Sequence, residues 1–303
     1  MTRQTVLITG ASGFVGRAVV AAMLKDGELD VHTASRTGLP PGLSVGHEHH
    51  HRCDLFVEQQ AQALVQRVRP DILVHNAWYA KHGKFWNAPE NREWVSATAA
   101  LARVFQLAGG KRFVGVGSCA EYEWGSQGDL DERESALKPS TLYGASKNEA
   151  RVALQALAEE TGMDWAWARL FMMYGPEEEQ TRLLPSIALP LLRGENARCS
   201  AGSQVRDFLH VSDVGSGISR VALSSVSGPV NVASGVGVRV GDFAAEIERA
   251  VAGRAELERG ALAIRPGDPE RIVANTGLLQ SLGFQPKFDL STGVAQAVES
   301  LRG

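Results

Sequence analysis

Apolar positions near the amino terminus follow two alternating rhythms. "TVLITG" is a short apolar run ending in Gly10, whereas "RAVVAAMLKDG" spaces its apolar residues as a helix does and closes at Gly27. The pattern predicts strand, turn and helix, and then continues. "DVHTAS", "HRCDL" and "DILVHNA" read as strands two to four, with a helix over "VEQQAQALVQRVRP" between the last two. "REWVSATAALARVFQLAGG" is the third helix, "RFVGVGS" strand five, the stretch around "YGASK" the fourth helix, and "DWAWARLF" strand six. Strands alternating with helices predict an α/β fold: a doubly wound parallel sheet covered on both faces. After Gly175 and Pro176 the rhythm changes to the charged "EEEQTR", an apolar helix from Leu183 to Leu192, "QVRDFLHVSDV", and a Pro/Gly-rich "IRPGDPERIV". We therefore expect residues 1–176 with about 204–234 to form the sheet domain, and about 177–203 with 235–303 to form a smaller C-terminal lobe.

Two local patterns carry chemistry. In "TGASGFVG" the junction of strand one and the first helix holds Gly10, Gly13 and Gly16. The first allows a tight turn, the second lets backbone approach a pyrophosphate, and the third lets helix and strand pack closely, with the helix N-terminus facing the anion. Such sites usually end strand two with an acid for the ribose 2′-OH of NAD. This chain instead reads "TASRTG", so Ser35 and Arg36 favour NADP over NAD. Asp54, after strand three, is expected to accept from the adenine amino group or to cap the next helix. In "YGASK", Tyr143 and Lys147 lie four apart, which on a helix puts them on one face. An ammonium beside a phenol favours the phenolate, so a lowered Tyr143 pKa and proton exchange at neutral pH are expected; a surface Tyr with a solvated Lys has the same spacing.

Composition narrows the setting. With 303 residues, 44% of them hydrophobic, the chain can bury a large core, and a net charge of −3 supplies no basic field for nucleic acid or an anionic membrane. Cys53, Cys119 and Cys199 lie far apart without a CxxC pair, so a reducing cytoplasm is expected. No leader pattern or membrane-length apolar run is visible. The run His47, His49, His50 and His51 has no Cys or carboxylate at ligand spacing and is read as a non-metal loop.

Five motifs in order, "TGASGFVG", "GVGSCAEY", "PSTLYGASK", "RLFMMYGP" and "QVRDFLHVSDV", resemble the extended short-chain dehydrogenases/reductases, the NAD-dependent epimerase/dehydratase family that modifies nucleotide sugars. The resemblance implies a Rossmann sheet domain and a catalytic set of Ser118, Tyr143 and Lys147. Tyr143 would exchange a proton with a sugar oxygen, Ser118 would hydrogen-bond that oxygen, and Lys147 would hold the nicotinamide ribose. Further cofactor contacts are implied from Ser12, Phe14 and Val15 in the glycine turn, from Leu55, and from Asn76 and Ala77. For a nucleoside-diphosphate sugar, Arg206 and Arg265 are expected at the phosphates, Asp268 at the ribose or base, and Arg182 as a weaker phosphate contact. Trp78 and Lys81, in the loop "WYAKHGKFW", are expected near the sugar, although Trp78 and Trp86 fit a lobe interface equally well.

Departures from the family pattern narrow the reaction. Met172 stands where UDP-sugar relatives usually carry Asn. Dehydratases carry acidic groups in the two positions after the catalytic Ser, where this chain has Cys119 and Ala120; 4,6-dehydration is therefore not expected unless Glu121 serves instead. Cys119 and Glu121 are retained as substrate-side residues. The expected activity is hydride transfer at one ring carbon, as a 4-ketoreductase or alternatively a 4-epimerase with retained NAD; a non-catalytic cofactor sensor has no use for Tyr143. Pairing of two copies through the helices after strands four and five is implied by resemblance.

Overall fold

The computed structural model describes residues 3–38, 42, 45–125 and 128–302. β1 (Gln4–Thr9) buries every residue from Val6 to Thr9, as a strand covered on both faces must. α1 (Phe14–Met23), β2 (Leu29–Ser35), β3 (His50–Arg52), α2 (Glu58–Val68) and β4 (Ile72–His75) follow, then α3 (Glu90–Leu107), β5 (Arg112–Ser118), α4 (Leu142–Thr161) and β6 (Asp164–Leu170). The second half adds β7 (Met172–Tyr174), α5 (Leu183–Leu192), β8 (Ala197–Arg198), β9 (Val205–His210), α6 (Val211–Leu223) and β10 (Gly228–Val232). It ends with β11 (Gly237–Arg239), α7 (Val240–Val251), β12 (Leu257–Glu258), β13 (Arg271–Ile272), α8 (Gly277–Ser281) and α9 (Leu290–Glu299).

The main sheet has seven parallel strands in the order β10-β6-β5-β4-β1-β2-β3. From β1 the chain winds one way to β3 and then, after β4, the other way to β6. The crevice beyond the strand ends at that reversal is where such sheets bind ligands. One face buries Val6, Ile8, Val19 and Val74 with Ile218, and the other buries Leu7, Leu73, Leu101, Phe113 and Leu154. A separate core joins Ile187, Phe243, Ile247 and Val294 of α5, α7 and α9.

All six predicted strands form. The third is displaced: "HRCDL" predicts 51–55, whereas β3 ends at Arg52, because its register with β2 runs only from Thr33 to Ser35. Of the stretch near 204–234, β10 pairs with β6 in the main sheet. β9 does not: it lies in a small sheet with β7, β11 and β13.

One buried polar network fixes the end of β5. Arg169, fully buried on β6, donates from Nε to Glu121 Oε2 at 2.9 Å. Trp167 Nε1 donates to Glu121 Oε1 at 2.8 Å, and Tyr122 donates from its hydroxyl to Asn231 of β10 at 2.7 Å. Removing one partner of such a pair strands a buried charge, typically at a cost of about 3–5 kcal/mol.

Candidate active site

The glycine turn sits at the reversal point. Gly10 has φ +67°, and a Cβ there would lie 2.6 Å from the Ala77 nitrogen. A Cβ on Gly16 would lie 2.1 Å from the Gly10 carbonyl oxygen, so only glycine lets α1 approach β1. Gly13 differs. Its backbone is extended, and a Cβ there would meet only the Gly10 oxygen, at 3.4 Å, leaving its free side open. α1 begins at Gly13 with no side-chain cap, so its first amides are available to an anion.

Over this turn opens a cavity of about 530 Å³ lined by Gly10, Ser12, Gly13, Phe14 and Val15. Asn76 and Ala77 line it too, and Asn76 Nδ2 donates to the Gly10 oxygen at 3.3 Å. Uncapped amides beside a cradle that a Cβ would fill suit the pyrophosphate of a dinucleotide. Ser35, Arg36 and Leu55 line the same cavity at the end of β2. There Arg52 donates from Nε to the Arg36 oxygen at 3.1 Å, which puts two exposed Arg residues side by side. Asp54 neither lines the cavity nor serves as N-cap of α2, whose cap is Val57. Its carboxylate accepts from Phe56 N at 3.1 Å in the turn before the helix.

The other end of the cavity holds Ser118, Tyr143 and Lys147 together. Thr141 accepts from Gly144 N at 3.1 Å and so caps α4, which then presents Tyr143 and Lys147 one turn apart. Lys147 donates to the Val116 oxygen at 2.6 Å and sits 3.8 Å above the Trp78 ring. Ser118 lies close enough to Tyr143 to favour its phenolate. Ser118 also caps the turn that follows it: its Oγ accepts from Ala120 N at 3.2 Å, while its own N donates to Glu121 Oε1 at 2.8 Å.

The expected acidic Tyr143 is not what the structure shows. Burial pushes the phenol well above its ordinary value, only partly offset by nearby Ser118, and burial lowers Lys147 to about 7, only partly offset by Glu121. Desolvation disfavours the charged form of both groups and outweighs their proximity. Lys147 is thus poised to change charge near neutral pH.

At the substrate end, Phe85 and Trp86 turn ring edges and faces onto Tyr143, at centroid distances of 4.8 and 5.9 Å. Trp78 lines the cavity while donating to Asn91 at 2.8 Å and stacking on Trp94, so it anchors to the sheet domain. Cys119 and Arg182 also line the cavity, and burial pushes the Cys119 thiol up to about 12. Five expected substrate residues lie outside the lining. Glu121 is locked in the Arg169 network; Lys81 is exposed; Arg206 pairs with Asp268 at 2.7 Å; and Asp268 also accepts from Gln204 at 2.8 Å. Arg265 is exposed and likewise outside the lining; burial, then Arg182 and to a lesser extent Arg265, lower the His82 pKa.

A family model described as the NAD dependent epimerase/dehydratase family matches residues 6–233. The chain belongs to that family. It is 25% identical to a UDP-glucose 4-epimerase of Mycolicibacterium smegmatis over 311 residues, 98% of each chain. It is also 25% identical to UDP-glucuronic acid decarboxylase 1 of Xenopus tropicalis, covering 99% of this chain and 72% of that protein. Among solved structures, MoeE5 in complex with UDP-glucose and NAD shares 28% identity, with a TM-score of 0.83 and 98% coverage of both chains. As a member of the NAD dependent epimerase/dehydratase family the chain is an enzyme, as the motif order implies.

Some lining residues escape sequence reasoning. Glu179, Met173 and Trp94 face the cavity, and Glu179 accepts from His82 N at 3.1 Å, tying the 78–86 loop to the segment before α5. Arg52 and the buried Glu178 are likewise unmarked by any motif. Burial pushes the Glu178 carboxyl up to about 7 despite Arg182 at 3.2 Å.

Proposed function

We propose that this enzyme moves a hydride at a ring carbon of a nucleotide-activated sugar and runs the reaction as a 4-epimerase that keeps its cofactor. The observation that carries the reading is that the Tyr143 phenol and the glycine turn open into one cavity. Bound there, the nicotinamide supplies or accepts the hydride. Tyr143 Oη takes the proton of the sugar hydroxyl in one direction and returns it in the other, and Ser118 holds the same oxygen. Lys147, when charged, favours the phenolate and donates to the ribose. Arg182 in the cavity wall receives the diphosphate, with the exposed Arg265 as a second cation for it. Cys119 and Ala120 supply no second acid or base beside Ser118, which speaks against elimination of water. The full-length epimerase relative supports the retained-cofactor route.

A 4-ketoreductase is the second reading, favoured by one observation: Arg36 stands where NAD sites carry an acid, with Arg52 from the end of β3 beside it. Such a pair suits a 2′-phosphate, and an enzyme using NADPH must exchange it each turnover. The experiment releases cofactor from the purified protein and supplies UDP-glucose or UDP-galactose without added nicotinamide. Bound NAD and interconversion of the two sugars support the epimerase. A chain that purifies empty and consumes NADPH only with a keto sugar supports the reductase.

A further inference from the structure

We propose that Asp30, His32 and His49 form a binding site for one divalent transition-metal cation of the zinc type, separate from the catalytic cavity. Within the histidine run the one carboxylate, Glu48, lies against His49 Nδ1, so a carboxylate on the Nε2 side must come from elsewhere in the chain. The parallel register of β2 and β3 supplies one, because Ala34 lies opposite His51, and the side chains at Asp30 and His32 share that face of β2. The 3-10 turn His47–His49 then delivers His49 to the same place.

The geometry is that of a nearly formed ligand set. His49 Nε2 lies 3.1 Å from Asp30 Oδ1, and His32 Nε2 lies 3.3 Å from Asp30 Oδ2. All three ligand atoms fall within 4.8 Å of one another. Metal–ligand bonds of about 2.0–2.1 Å at tetrahedral angles put ligand atoms about 3.3 Å apart, close to the separation of each imidazole from its own Asp30 oxygen. A single Asp30 oxygen serves both imidazoles after a small side-chain adjustment within that 4.8 Å cluster.

Both imidazoles are also held from behind, as metal-binding histidines are. His32 Nδ1 lies 3.0 Å from His51 Nε2, and His49 Nδ1 lies 3.2 Å from Glu48 Oε1. Each histidine therefore has a neighbour to accept the proton on Nδ1 while Nε2 offers its lone pair. His51 and Glu48 are positioning residues. Asp30 and His49 keep 36% and 35% of their side chains exposed, which gives the ion an entry path and leaves a fourth position for water. None of these residues lines the catalytic cavity. Asp30 stands near the start of β2 and Arg36 beyond its end, about 20 Å away along the strand.

The test uses the full chain, without an affinity tag and stripped with chelator, titrated with Zn²⁺ by calorimetry and with Co²⁺ by visible absorption. One ion per chain should bind at micromolar strength or tighter. Asp30→Asn and His32→Gln should each weaken it by about 10-fold or more, and His51→Gln by about 10-fold. His47→Gln, off the cluster, should leave it unchanged, and NAD affinity should be unaltered in every variant. Failure to saturate at one ion per chain overturns the proposal. So does binding that survives Asp30→Asn and His32→Gln, since the histidine run alone would then be the chelator. Far-ultraviolet circular dichroism confirms that each variant is folded, and the partly exposed His49→Gln provides an independent ligand deletion.

Discussion

Replacing Gly13 with alanine separates the stability of the glycine turn from its ability to bind. The residue sits at φ −78° and ψ 167°, a region open to any L-residue, and its new methyl would touch only the Gly10 oxygen at an ordinary 3.4 Å. The protein without cofactor should therefore lose nothing, and should gain about 0.4–1 kcal/mol through a stiffer unfolded chain. A pyrophosphate drawn onto the α1 amides would meet that methyl. Overpacking of this kind costs about 1–3 kcal/mol, so NAD affinity should fall about 5- to 150-fold. The assay is thermal or denaturant unfolding with and without NAD. At 100 times the wild-type dissociation constant, NAD should stabilise the wild type by about 2.7 kcal/mol and a 100-fold weakened variant by only about 0.4. Gly16→Ala serves as the contrast, because its Cβ would fall 2.1 Å from the Gly10 oxygen and destabilise the protein whether or not cofactor is present. If Gly13→Ala bound NAD as tightly as wild type, the pyrophosphate would not lie on this turn.

Arg36→Ala should weaken NADP by about 10- to 100-fold while changing NAD by less than about 3-fold, as expected for loss of a charge-assisted phosphate contact; equal losses in a binding titration would refute the 2′-phosphate reading. Glu178 holds its proton up to about pH 7 in the folded chain against an ordinary value of 4.5. Between those values the folded state binds more protons than the unfolded one, so stability should fall as pH rises, by up to roughly 3 kcal/mol at pH 8. Glu178→Gln should remove that fall and be the more stable protein above pH 7; identical urea curves for the two proteins across pH 5 to 8 would contradict it. Cys119→Ser should leave turnover within about 3-fold, because a thiol pushed up to about 12 has almost no thiolate at neutral pH.

Strands buried on both faces leave continuous apolar runs, which is why β1, β4, β5 and β6 were legible from sequence, and the glycine turn was legible because it opens the first strand-to-helix junction. The placement of Ser118, Tyr143 and Lys147 in one cavity also followed from spacing and motif order. Their protonation did not: spacing gives proximity, but the balance between an ammonium's pull and burial depends on what surrounds the pair. Partner choice was equally hidden. Glu121 is bound by Arg169, 48 positions away, and Arg206 by Asp268, 62 positions away, and no local pattern announces either pair. The same holds for Asp30 and His49, brought together by strand register and the 3-10 turn before β3.

The most direct test of hydride transfer governed by Tyr143 is rapid mixing of NAD-loaded protein with UDP-glucose while reduced-nicotinamide absorbance is followed. Wild type should show reduction of its bound cofactor, and Tyr143→Phe should show it slowed by about 10²- to 10⁴-fold with NAD still bound. Reduction at an undiminished rate in Tyr143→Phe, or none in wild type with any nucleotide sugar, would contradict the account.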